Sequence, residues 1–124
     1  MQNQAVTAYQ NTSRSTVPQR DLEANLLSSA AAQFQRIMEN WEQLAPELEN
    51  ALLFNRKLWT IFVTSVTDNE SKLAMDVRQN VANLGVFVLT RTAEMRLAPE
   101  PDKLDVLVRI NRELAAGLRG SVAD

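Results

Sequence analysis

The chain has 124 residues, 45% hydrophobic and 23% charged, with a formal net charge of −2. That size supports one domain around one core, and the slightly acidic balance argues against direct nucleic-acid binding, which calls for a concentrated positive face. Cysteine and histidine are both absent, which removes disulfides, thiolate zinc sites, cysteine nucleophiles and the commonest general base and metal ligand.

The close carboxylate pairs outside the first helix, Glu47 with Glu49 and Asp102 with Asp105, stand at helix starts. They read as charges that complement a helix dipole rather than as an acid–base pair. The expectation is a non-enzyme without metal or cofactor. With no run of about 20 apolar residues, no membrane span is expected. Met1 to Val6 lacks the basic start and apolar block of a secretory signal, so a cytoplasmic location is the default. Three glycines and four prolines favour long regular elements over many turns.

In chain order, residues 1–15 are polar apart from Val6 and Tyr9 and read as a flexible amino-terminal arm. Residues 16–120 form the single helical domain, and 121–124 a frayed tail. Thr16, Pro18 and Gln19 suit a helix start. Leu22, Leu26, Ala30, Phe34 (or Gln33), Ile37, Trp41 and Leu44 follow in steps of three and four, which predicts a helix from Pro18 to Leu44. Pro46 marks the corner.

The second helix runs from Pro46 or Glu47 to Val66. At 100° per residue, Leu48, Leu52, Asn55, Trp59, Phe62 and Val66 share one face. Phe54 and Ile61 form a flanking stripe, Leu58 bridges the two, and Arg56 and Lys57 lie outside both. A turn near Thr67-Asp68-Asn69 ends it.

Asp68 or Ser71 caps a third helix, Lys72 to Leu97, with Leu73, Val77, Val81, Leu84, Val88 and Met95 on one face. Gly85 beside that face costs about 1 kcal/mol against alanine and points to close approach by another helix. Val86 and Leu89 lie opposite the main stripe. Ala98-Pro99-Glu100-Pro101-Asp102 is a stiff corner. The last helix, Lys103 to Leu118, carries Leu104, Leu107, Ile110, Leu114 and Leu118, with Asn111 among them, and Gly120 suits a left-handed stop. Short corners favour antiparallel neighbours, so the fold class is all-α: a four-helix, mostly antiparallel up-down bundle. The core set is Trp41, Leu52, Trp59, Phe62, Leu84, Leu107 and Leu114.

Two features carry functional weight. Asn55-Arg56 and Asn111-Arg112 repeat one dipeptide, each with an asparagine on an apolar face. A buried amide must find partners. The two asparagines bond each other or a neighbouring helix end and set register; the alternative is a polar patch in a partner groove. The Phe54/Ile61 stripe either packs within the bundle or stays open to an amphipathic helix. A helix-turn-helix reading fails because the helices are too long and none concentrates basic residues. No glycine-rich run precedes a helix, so no phosphate loop is present.

Three stretches resemble the FlaF family of flagellar biosynthesis regulators. Asn50-Ala51-Leu52-Leu53-Phe54-Asn55-Arg56-Lys57-Leu58-Trp59-Thr60 is similar to its core signature. Asn83-Leu84-Gly85-Val86-Phe87-Val88-Leu89 is similar to its Ile/Leu-Gly-x-aromatic-Val segment, with Phe87 where tryptophan is common. Leu107 to Leu118 is similar to its closing segment, and Tyr9 with Pro18-Gln19-Arg20-Asp21-Leu22-Glu23 to its amino-terminal pattern. The resemblance implies a flagellin-binding export chaperone that supports flagellin synthesis and secretion, in a circuit with the translation regulator FlbT. On this reading Phe54, Leu58, Ile61, Val86 and Leu89 meet flagellin. The alternatives are a post-transcriptional regulator acting with FlbT and a dimeric scaffold.

Overall fold

The computed structural model describes residues 17–68 and 74–120. The expected arm at 1–15, the caps at Thr16 and Ser71, and the tail at 121–124 lie outside these residues. All regular structure among the described residues is helical: α1 (Val17–Glu39), α2 (Leu48–Thr67), α3 (Met75–Leu97) and α4 (Leu104–Leu118). A single helical turn, Trp41–Leu44, and a 3-10 turn, Ala45–Glu47, make the corner between α1 and α2. A second 3-10 turn, Pro101–Lys103, leads into α4. Gly120 closes the described chain with φ 81, the left-handed stop that its position suggested.

The first helix stops earlier than its apolar pattern implies. Asn40 leaves helical geometry at φ −129, ψ 48. Its side-chain amide donates to the Arg36 carbonyl at 3.0 Å, offering the backbone an alternative to the helical ladder. The corner beyond it is clasped by Arg36 and Glu47, whose charged atoms stand 2.7 Å apart.

The helices associate as two antiparallel pairs. α1 packs chiefly on α4, and α2 chiefly on α3, while α1 and α2 also touch. Opposite ends meet in each pair. Arg119 beyond α4 donates to Asn25 near the start of α1 at 2.9 Å. Arg96 at the end of α3 reaches Glu49 at the start of α2 at 2.8 Å. Arg78 at the start of α3 donates to the carbonyls of Val66 (2.7 Å) and Asp68 (3.1 Å), covering acceptors that the end of α2 leaves open.

One core joins both pairs. Trp59, Phe34, Leu27, Ile37, Leu52, Met95, Leu104 and Leu107 are its largest buried apolar side chains. Trp41, Phe62 and Leu114 pack against it half-buried. Two sequence expectations need correction. On α1, the expected Ala30, Phe34 and Ile37 are buried, but Leu22 and Leu26 are exposed and Ala24, Leu27 and Ala31 are buried in their place. Ala24, Ala30 and Ala31 are small side chains of the kind that let two helix backbones approach.

On α3, Leu84 is not core: it is 38% exposed while its neighbour Gly85 is buried. Adjacent helical positions point about 100° apart. α3 packs principally on α2, and the α2-facing position is Gly85. A Cβ placed there would collide with Val63 Cγ2, so the glycine is what lets the two helices close. Val88 and Met95 on the same broad stripe are fully buried, Val81 is half-buried, and Val77 is exposed. The stripe thus loses its cover towards the start of α3.

Candidate partner-binding surface

The polar centre of the core is a directed chain of three side chains. Trp59 Nε1 donates to Asn111 Oδ1 at 2.9 Å, and Asn111 Nδ2 donates to Asn55 Oδ1 at 2.8 Å. Both asparagines are fully buried. Indole nitrogen only donates, so Asn111 must turn its oxygen to Trp59 and its amino group to Asn55. Asn55 Nδ2 is left without a partner. The chain links the middle of α2 to the middle of α4, and with it one helix pair to the other. Phe62 adds an edge-to-face contact to Trp59, with ring centroids 5.8 Å apart.

The five residues expected to form a partner surface separate in the structure. Leu58 is only 7% exposed and belongs to the core. It lies on the flank of α2 that also carries Ala51 and Asn55, and that flank is covered. Phe54, Ile61 and Val86 are exposed, and Leu89 is half-buried. Ile61 and Leu89 line adjoining hollows, whereas Phe54 and Val86 line neither.

The hollows meet along α2. One of about 400 Å³ is lined by Arg56, Thr60, Leu89, Thr92, Ala93 and Arg96 between α2 and α3. The other, about 330 Å³, is lined by Leu53, Arg56, Lys57, Thr60 and Ile61. Arg56 and Thr60 are common to both and stand between them: the first hollow opens between α2 and α3, the second on the outer face of α2. Leu53, Arg56, Thr60 and Ala93 were not among the residues expected from sequence. The available signal was the pair Leu52-Leu53: neighbours 100° apart on a helix cannot both face one core.

Most polar groups of the two hollows are already matched. The Thr60 hydroxyl donates to the Arg56 carbonyl at 2.8 Å and the Thr92 hydroxyl to the Val88 carbonyl at 2.7 Å. Hydrogen bonding to Glu49, and then its negative charge, hold the Arg96 guanidinium above its ordinary pKa. The side chains of Arg56 and Lys57 make no hydrogen bond or ion pair among the described residues. On the other side of α3, Arg91 lies over the Phe87 ring at 5.3 Å, a cation–π contact.

No group of three or more His, Cys, Asp or Glu side chains among the described residues is placed to hold a metal. No helix there is long and apolar enough to cross a membrane. The arrangement offers recognition chemistry: exposed aliphatic side chains beside unmatched cations. The family model described as flagellar protein FlaF matches residues 5–118. Comparison with curated proteins and with solved structures gives no match.

Proposed function

The chain belongs to the FlaF family of flagellar proteins, and from that premise we propose that it is a non-catalytic, cytoplasmic chaperone that binds flagellin and supports its synthesis and secretion, in a circuit with FlbT. The observation that carries this reading is the apolar surface left outside a complete core. Leu53, Phe54 and Ile61 on α2 and Val86 and Phe87 on α3 remain exposed after the helices have packed. Exposed apolar side chains of this size suit a partner with an apolar face. An amphipathic helix laid along α2 would cover Leu53 and Ile61 through anchors at helical spacing.

Calorimetric titration of the purified chain with monomeric flagellin tests the reading. Saturable binding at micromolar concentration is expected, and no heat beyond dilution there would overturn it. Light scattering of the free protein adds a second check. A stable dimer that flagellin does not dissociate would replace the chaperone with a scaffold.

A further inference from the structure

The outer face of α2, beside the cleft to α3, combines two properties that together specify the chemistry of its occupant. Leu53 and Ile61 are exposed apolar side chains eight positions apart on α2, which separates them by about 12 Å along the axis. Arg56 and Lys57 stand between them. The hydroxyls of Thr60 and Thr92 are used within their own helices, and Arg96 is held by Glu49. The unmatched polar groups of this surface are therefore two cations. They stand out in a chain whose net charge is −2.

The geometry points to an acidic amphipathic α-helix as the occupant, with apolar anchors seven or eight residues apart and carboxylates one turn in from the first anchor. The anchors sit on Leu53 and Ile61, and the carboxylates meet Arg56 and Lys57. This rests on reading the surface as a partner site and adds the charge and spacing of the segment that it takes. Charge complementarity of this kind selects among helices of similar hydrophobicity and raises the rate of encounter.

Two synthetic helical peptides test it on the full chain. Both carry leucine at positions i and i+7; one has glutamate at i+3 and i+4, the other lysine. The glutamate peptide is expected to bind at least about tenfold more tightly at low salt, a preference that shrinks as salt rises. It should shift the amide resonances of residues 53–61. The double variant Arg56→Glu/Lys57→Glu, changed at two exposed positions, should reverse the preference while keeping the wild-type circular dichroism. Equal affinity for the two peptides, or shifts confined to the Val77 and Leu84 side of α3, would overturn the proposal.

The same variant separates this from the flagellin reading. If wild type and double variant bind flagellin equally, this proposal fails and the chaperone stands. If flagellin does not bind but the glutamate peptide does, on this face of α2, the reverse holds.

Discussion

Trp59 and Asn111, fifty-two positions apart, are joined by a buried hydrogen bond of 2.9 Å. That bond fixes the orientation of two amides and strands the second one's donor. A buried polar group without a partner costs about 1–3 kcal/mol. Truncating Asn111 and truncating Asn55 remove the same volume but different bonds. Asn111→Ala orphans the Trp59 N–H and the Asn55 carbonyl. Asn55→Ala orphans only the Asn111 amino group and removes the donor that already lacks a partner. Asn111→Ala should therefore be the more destabilising by about 1–3 kcal/mol in urea denaturation; the opposite order would contradict the bond directions.

Gly85 faces Val63 across the α2–α3 contact. Alanine is the better helix former by about 1 kcal/mol, so on propensity alone Gly85→Ala would stabilise. The collision with Val63 should outweigh that gain and leave a net loss of about 1–2 kcal/mol. Adding Val63→Ala should recover part of it. A Gly85→Ala protein with an unchanged or raised melting temperature would show that the helices can separate at no cost.

Arg78 covers two carbonyls at the end of α2. Arg78→Ala should cost about 1–2 kcal/mol. The loss should appear first as faster hydrogen exchange in the last turn of α2, with Trp59 still protected. Uniform acceleration across all four helices would instead mean that this contact holds the whole fold.

Leu58 and Ile61 are one turn apart on α2 and have opposite roles. Leu58→Ala should lose about 2–5 kcal/mol of stability, as a buried leucine does. Ile61→Ala should stay within about 0.5 kcal/mol of wild type and weaken flagellin binding. Denaturation and calorimetry on the two variants separate stability from recognition.

How much of this was readable in advance follows from what each residue depends on. The helices are legible because their period of 3.6 is a property of the local chain. The meeting of Asn55 with Asn111 was legible because an amide inside an apolar stripe must find a partner and few were on offer. Leu84, Leu58, Leu22 and Leu26 were misplaced because burial depends on which neighbour covers which side, and that is settled by pairing between distant helices. α1 packs chiefly on α4 with Leu22 and Leu26 left outside, and Gly85 is buried against α2 where Leu84 was expected. The stop at Asn40 was missed because an apolar pattern continues through it, while the side-chain bond to Arg36 interrupts the backbone locally. The charged part of the α2 surface was missed because Arg56 and Lys57 looked like ordinary solvated charges until the threonines and Arg96 around them were seen to be matched.

The pairing of α1 with α4 also sets an order of events on the ribosome. α2 and α3 are close in sequence and can form their hairpin as they emerge. α1 is made first, yet its main partner is synthesised only after both of them, a delay on the order of seconds at cellular translation rates. During that interval α1 lacks its chief packing partner. A nascent chain halted before Leu104 should therefore be protease-sensitive in α1 while its α2–α3 hairpin is already formed, and its folding should complete only when α4 is released.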